Sequence, residues 1–403
     1  MNKSLNGNPT LSIAKSKRIQ SIDLLRGIVM IIMALDHVRN FFHYDAFFYN
    51  PTDLTQTNAS LFFTRIITHY CAPVFIFLAG MSAYLYGEKR SKKELSFFLL
   101  TRGIWLVLAE IFIVGMFRSF NPSYHYLNFQ VIWAIGFCMI ILAALIHMNR
   151  LFILVVGLLL IGTHNLLDSV HVAGNGWRAV LWAILHDVNH FTFGQYSFHF
   201  RYPVLPWIGV MASGYCMGML YSPDYPAATR RKILCCLGIS AIALFILLRS
   251  GNFYGDGSSW STQKNSLFSV LSFLNVTKYP PSLLYLLITL GPAMIFLAVS
   301  EKPLRVLGQR ISIFGRVPMF YYLAHILLIK ILAIMAALLM GYPQMIVLSN
   351  GVNATPELKG YGFNLAIVYE VWIGLVLLLY PVCKWFDSYK RANQLKQSWL
   401  SYL

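Results

Sequence analysis

Charge is scarce in this chain, and negative charge scarcer than positive. Charged residues make up 12% of the 403 positions, with Asp and Glu numbering 15 against 32 Lys and Arg, where an ordinary soluble domain is about 25% charged. That excludes a soluble globular fold. Cysteine is also sparse: Cys71, Cys138, Cys216, Cys235, Cys236 and Cys383 fall within or beside apolar runs, and no spacing among them suggests a disulfide framework or a zinc site. There is no G-x-G-x-x-G, Walker A or G-x-S-x-G pattern, so a glycine-rich phosphate cradle and a serine nucleophile elbow are both excluded. No small-residue cleavage site follows the first apolar run, which therefore reads as a retained anchor and not as a secretory signal. No fixed-period repeat is visible.

Hydrophobic residues are abundant, at 57%. Apolar runs of about 20 residues, enough to cross hydrocarbon as helices, fall near 21–41, 60–86, 95–118, 128–147, 151–167, 203–221, 232–249, 281–300, 314–340 and 363–385. The predicted fold class is an all-α, polytopic integral membrane bundle of about ten transmembrane helices; strands are not expected, because backbone in lipid must satisfy its own hydrogen bonds. The surplus of 17 positive charges is distributed as in a membrane protein and not as in a nucleic-acid binder. Placing the N-terminus in the cytoplasm puts Lys3, Lys15, Lys17, Arg18, the turns around Lys89, Arg150, Arg230 and Lys302, and the tail from Lys384 to Lys396 on one side. Twenty of the 32 basic residues then share that side, and the first opposite loop, 42–59, has none. The positive-inside rule accordingly predicts that both termini are cytoplasmic. The expected organisation is a disordered basic segment 1–18, one integral domain 19–386 and a cytoplasmic tail 387–403. Two longer loops, 168–202 and 250–280, are expected to form the outer mouth of a site.

The unusual stretch is the first run, IDLLRGIVMIIMALDHVRNFF. Asp23, Arg26, Met30, Met33 and His37 recur at spacings of 3 and 4, so they line one helical face over about 21 Å. Asp36 and Arg39 form an i,i+3 pair beside it. Such groups can be end-of-helix ion pairs and snorkelling side chains; ionisable residues inside a span more often face a polar cavity or pathway. In FFTRIITHYCAPVFIFLAG, Arg65 and His69 are i,i+4 partners, and Pro73 removes the hydrogen bond owed to the carbonyl of His69, so a kink is expected there. An imidazole at such a place suits general base work. GRVPMFYYLAHILLIK puts His325 near mid-membrane with Tyr321 and Tyr322 one turn before it. Three intramembrane histidines on three runs suggest a common site. His186 and His190 in HDVNH have metal-ligand spacing if helical, but no third ligand is evident and no metal is expected. Glu110 and Glu370 read as intramembrane carboxylates available for ion pairing.

These residues carry a family resemblance. RIQSIDLLRGIVMIIMALDH, TRIITHYCAPVFIFLAG, YPVLPWIGVMASGY, TKYPPSLLYLLITLGP and GRVPMFYYLAH resemble blocks of the heparan-alpha-glucosaminide N-acetyltransferase catalytic-domain family, particularly bacterial members of unassigned substrate. More loosely, Asp23, Arg26 and His37 are similar to the D-x-x-R and later His of bacterial membrane acyltransferases that O-acetylate surface polysaccharides. The resemblance implies an acetyl-CoA-dependent membrane acyltransferase, moving an acyl group from cytoplasmic acyl-CoA to a sugar hydroxyl or amine of an extracytoplasmic glycan or related acceptor. It implies a histidine acting as base or acyl carrier. The implied setting is a bacterial cytoplasmic (inner) membrane, with a homodimer compatible, and no nucleic acid or metal involved. Where the lysosomal enzyme carries an asparagine this chain has His37, and a luminal-loop histidine has only His43 or His69 as a counterpart. Only Arg102 stands where the polysaccharide acyltransferases pair arginines.

The expected catalytic set is therefore His37, His69, Asp36 and His325, with Asp36 fixing an imidazole tautomer. The set expected to hold acyl-CoA and its developing charge is Asp23, Arg26, Arg39, Arg65 and Arg316, with Arg305 and Arg310 at the cytoplasmic rim. The rival readings are a transporter or permease passing protons or solute along the same charges, and a sensory or structural protein whose charges only hold helices together.

Overall fold

A helix lies at every one of the ten apolar runs. The computed structural model describes residues 19–343 and 358–393 together with Gln397 and Leu400; segment 1–18 and Lys396 lie outside the described residues. The chain is mostly helical. In order, the α-helices are α1 Gln20–Phe42, α2 Ala59–Thr68, α3 Cys71–Gly87, α4 Lys92–Leu108, α5 Gly115–Ser119, α6 Val131–Leu145, α7 Arg150–Thr163, α8 Trp177–Leu185, α9 Leu205–Gly218, α10 Ala227–Ser250, α11 Ser266–Leu274, α12 Leu283–Val299, α13 Val306–Arg316, α14 Pro318–Leu339 and α15 Leu365–Asn393. Six helical segments among the described residues are long and apolar enough to cross a membrane: Ala59–Gly87, Lys92–Ser119, Arg150–Leu167, α10, α14 and α15. The α6 and α12 helices are apolar but shorter, and α1 carries its charges inside the run.

Local sequence explains the breaks. Pro73 cannot donate to His69, and the helix divides there into α2 and α3; the carbonyl of His69 is taken up by the Tyr285 hydroxyl at 2.7 Å. The ninth run divides at Val317, because Pro318 has no amide and sits at the start of α14, where a missing donor does no harm. That division creates α13, a separate helix laid against α1.

The expectation of a wholly α fold needs correcting. Three strands, β1 Tyr126–Phe129, β2 Asn189–Phe193 and β3 Tyr196–Phe200, form one sheet in the order β1-β3-β2. A two-residue turn with Gly194 at a φ of 58° joins β2 to β3. The prohibition on strands applies to edges facing lipid; here the central strand β3 is paired on both sides, parallel to β1 and antiparallel to β2, and Phe129 stacks on Phe200 at 4.6 Å above Trp133. The end of the molecule bearing this sheet is called upper below.

The upper loops are held by two charged side chains. The Arg249 guanidinium donates to the carbonyls of Ser258, Ser272, Phe273 and Asn275. The Asp256 carboxylate accepts from the Thr277 amide and hydroxyl and from the Ser282 hydroxyl at 2.6–2.8 Å. Together they fix residues 275–282 over the helices.

Between helices, glycines set the spacing. Gly27 and Gly315 meet where α1 crosses α13, Gly80 and Gly214 at α3 and α9, Gly103 and Gly136 at α4 and α6, Gly157 and Gly209 at α7 and α9, and Gly238 and Gly291 at α10 and α12. In lipid, burial of apolar surface gives helices no reason to associate, so close backbone approach at small residues takes over. A β-carbon at Gly27 would collide with the Ile311 carbonyl, and one at Gly315 with that of Asp23. Gly27→Leu is therefore expected to destabilise the protein by about 1–3 kcal/mol, seen as a lower melting temperature in detergent, whereas Gly162→Ala, which meets open space, leaves it unchanged.

Candidate active site

Two chambers lie end to end inside the bundle. The upper one, of about 420 Å³, takes Asp36, His37 and Arg39 from α1, Arg65, Thr68 and His69 from the α2 break, and Arg118 from α5. Arg201 and Tyr202, after β3, and Lys278 and Tyr279, from the stitched loop, close its mouth. The two long loops thus do line the mouth of the site, as their polar content suggested.

The Asp36 carboxylate organises one wall. Its two oxygens both accept from Arg65 Nη1, at 2.6 and 2.7 Å, and Oδ1 accepts also from Arg39 at 3.0 Å and from the Thr68 hydroxyl at 3.1 Å. Arg39 also donates to Asn40 at 2.6 Å. Asp36 is thereby committed to guanidinium groups and does not set a histidine tautomer, contrary to the role the sequence suggested. The reason is helical: the i,i+3 spacing and the α2 crossing bring two cations to it, while His37 points to α14.

That histidine meets His325. His37 Nδ1 lies 2.8 Å from His325 Nε2, with the two rings parallel within 5° and their centroids 5.0 Å apart. His325 is 0% exposed, and its Nδ1 sits 2.7 Å from the Tyr321 carbonyl, one turn earlier on α14. A carbonyl only accepts, so Nδ1 of His325 carries a hydrogen and its Nε2, when neutral, must accept from Nδ1–H of His37. The consequence is that His37 Nε2 holds a lone pair. His37 lines the upper chamber, and among the described residues no hydrogen-bond partner occupies that nitrogen. A carbonyl, passed through one buried imidazole, thus does for His37 what a carboxylate does elsewhere.

The lower chamber, of about 380 Å³, is lined by Arg26, Met30, Ser82, Tyr86, Arg102 and Arg316, among others, with Lys390 at its edge. Arg26 is fixed by the Ser82 hydroxyl at 2.7 Å, the Gly315 carbonyl at 3.2 Å and Asp23 at 3.5 Å. Arg316 pairs with Asp387 at 2.9 Å, as does Arg391 from the next turn of α15. Met33, Phe75 and Val131 belong to the walls of both chambers. Beside that constriction, Arg118 Nη2 donates to the Tyr322 hydroxyl at 3.3 Å, and the Tyr322 ring stands edge-on to His37 with centroids 6.1 Å apart. The Arg118 Nε hydrogen is buried without a partner.

The structure therefore divides the expected site residues. Asp36, His37, His69, Arg39 and Arg65 share the upper chamber, Arg26 and Arg316 the lower one, and His325 stands behind His37 without facing either. His69 leaves Nδ1 buried without a hydrogen-bond partner. His43 is buried, accepts from the Asp45 amide at 3.2 Å and lies outside the chamber walls. Arg305, just before α13, and Arg310, on it, are exposed. His186 ends α8 and His190 lies in β2, so the helical spacing that would have made them joint ligands does not exist; His186 instead bonds Asp168 at 3.0 Å. Among the described residues no group of three or more His, Cys, Asp or Glu is arranged to hold a metal. Glu110 sits in a π-helical turn, Ala109–Val114, and accepts the first amides of α6, Ile132 at 3.0 Å and Trp133 at 3.3 Å, while Glu370 is exposed. Sequence reasoning missed Arg118, Arg201 and Lys278. Arg118 follows Glu110 on the same run, and Lys278 stands within TKYPPS, which were the available signals.

The helices and the two chambers define a helical membrane protein with an imidazole, that of His37, lining its upper chamber. A profile of the family described as heparan-alpha-glucosaminide N-acetyltransferase, catalytic, matches residues 18–249, more than half the chain, and the chain belongs to that family. It is thus an integral membrane protein of the acetyltransferase type. No curated protein matches the chain. The matched stretch contains His37, His69 and Arg118 but stops short of His325, so the two bonded imidazoles come from within and beyond it.

Because Asp36 has low exposure and serves two guanidinium groups, removing its charge strands both. Asp36→Asn is expected to cost about 3–5 kcal/mol, read as a lower melting temperature in detergent, with Asp36→Asn/Arg65→Gln recovering part of the loss.

Proposed function

We propose that this protein transfers an acetyl group from acetyl-CoA, entering the lower chamber from the cytoplasm, to a sugar hydroxyl or amine presented at the upper chamber. The observation that carries this reading is the lone pair on Nε2 of His37, which lines the upper chamber and stands edge-on to Tyr322 of the lower one. In this scheme the domain is 19–386, with ten spans, segment 1–18 and tail 387–403 cytoplasmic, in a bacterial inner membrane. The asymmetry of basic residues supports that orientation. The lower chamber's fit to the donor rests on its chemistry: Arg26, Arg102 and Arg316 offer planar donors suited to phosphate oxygens, and Met30, Met33 and Phe75 suit an apolar thioester arm.

The residues then have distinct tasks. His37 Nε2 takes the proton of the acceptor's O–H or N–H as that atom bonds to the thioester carbonyl carbon. Arg118, through its unpartnered Nε–H beside Tyr322, stabilises the oxyanion that forms; Arg65 is occupied by Asp36, and Arg39, whose Nη2 is held by Asp36 and Asn40, offers a second unpartnered Nε–H in the same chamber. When the C–S bond breaks, the imidazolium returns its proton to the thiolate. His325 is a positioning residue that holds His37 in the required tautomer. His69 faces the acceptor side and is the second candidate base.

The test is vectorial. In proteoliposomes with acetyl-CoA sealed on one side and glucosamine on the other, acetylated sugar is expected on the glucosamine side. His37→Ala is expected to lower turnover by about 10²–10⁴-fold while acetyl-CoA still binds by calorimetry. Absence of acetyl-CoA binding, or solute uptake in its place, would reject the transferase reading in favour of transport.

A further inference from the structure

The upper chamber holds more positive charge than its own residues neutralise. Arg39, Arg65, Arg118, Arg201 and Lys278 face it, and the carboxylates along its wall are Asp36 and Asp53. Asp36 is occupied by Arg39 and Arg65. Asp53 accepts from Thr55 and Gln56 within its own loop at 2.7–3.1 Å. No described carboxylate lies within 4 Å of Arg118, Arg201 or Lys278. Arg118 has a separate place in the proposed chemistry, which leaves two cations at the mouth.

Those two converge. The Arg201 guanidinium lies 4.5 Å from the Tyr279 ring centroid and the Lys278 ammonium 5.3 Å from the same centroid. Lys278 is only 8% exposed. They arrive from different segments: Arg201 follows β3, and Lys278 rides on the loop that Arg249 and Asp256 stitch down, so their juxtaposition is built by the fold. Contact with an aromatic face offsets only part of the cost of desolvating a cation. A carboxylate or phosphate would offset much more and would gain short charge-assisted hydrogen bonds.

We propose that the acceptor is an anionic sugar, bearing a carboxylate or a phosphate ester that binds between Lys278 and Arg201 and so aims its hydroxyl or amine at His37. This rests on the transferase reading for the direction of transfer, and the anion site itself is tested without turnover. The same geometry serves a uronic acid or a sugar phosphate, and the probes separate them.

The experiment measures ligand-induced shifts in the melting temperature of the full-length protein in detergent, using two matched pairs: glucuronate against glucose, and glucosamine 6-phosphate against glucosamine. At least one charged member is expected to bind about tenfold or more tightly than its neutral partner. The preference is expected to collapse in Lys278→Gln and in Arg201→Gln, so one poorly folding variant does not remove the test. Whichever charged member stabilises more identifies carboxylate or phosphate. Equal binding of charged and neutral sugars, a preference untouched by both variants, or an equal effect of inorganic phosphate, an adventitious ion only, would overturn the proposal. Displacement of the bound sugar by adenosine 3′,5′-bisphosphate would overturn it too, by assigning the cations to the donor. Acetyl-CoA binding, measured separately by calorimetry, decides the transferase reading independently of these shifts.

Discussion

The orientation of His37 depends on a carbonyl that cannot donate. From Tyr321 through His325 to His37, each hydrogen bond dictates the direction of the next, and the last nitrogen in the series is left with a lone pair in a polar chamber. Burying two neutral imidazoles is tolerable in a membrane interior only because each has a partner. A carboxylate behind His37 would do the same orienting work, but it would bring a charge into a helix packed against apolar neighbours. The available carboxylate, Asp36, is used where two arginines need it. Separating these duties lets one wall of the chamber be strongly charged while the imidazole opposite stays neutral.

The rest of the fold keeps that series in place. His37 and His325 come from α1 and α14, which are far apart in sequence. The glycine crossing of α1 with α13 and the proline start of α14 determine where α14 stands relative to α1. Above, the Arg249 and Asp256 networks hold a loop that contains no long helix of its own, and the small sheet covers the helix ends beside it. The result is a rigid rim over a polar interior, suited to holding reacting groups in fixed positions. The constriction at Met33, Phe75 and Val131 lies next to the Arg118 and Tyr322 contact, where Arg118, like Arg39 in the same upper chamber, keeps a buried Nε–H without a partner among the described residues.

Much of this was legible in the sequence because hydrophobicity and helical spacing are local. The ten runs, the stripe from Asp23 to His37, the pairing of Asp36 with Arg39 and the break at His69 all follow from residues within a few turns of each other. The partner of His37 was named as a candidate, but its contact was not derivable, since 288 positions separate it from His325 and no local rule sets which faces of two such helices meet. The strands escaped notice because NHFTF and YSFHF are short, sit inside a loop between apolar runs and alternate aromatic with polar residues, a pattern that a search for helical spans passes over. Asp36 was given the wrong neighbour for a similar reason: the approach of Arg65 is a tertiary fact. Lys278 and Arg201 were missed because only the fold places both against Tyr279.

The central claim concerns one proton, and it can be observed directly. Magnetic-resonance measurement of ¹⁵N-histidine-labelled protein in lipid, with the His37 signal assigned by its loss in His37→Gln, reports which ring nitrogen carries hydrogen. The account predicts a neutral His37 protonated at Nδ1 and bare at Nε2, changing when His325 is replaced by alanine. A His37 protonated at Nε2, or one indifferent to the loss of His325, would contradict it.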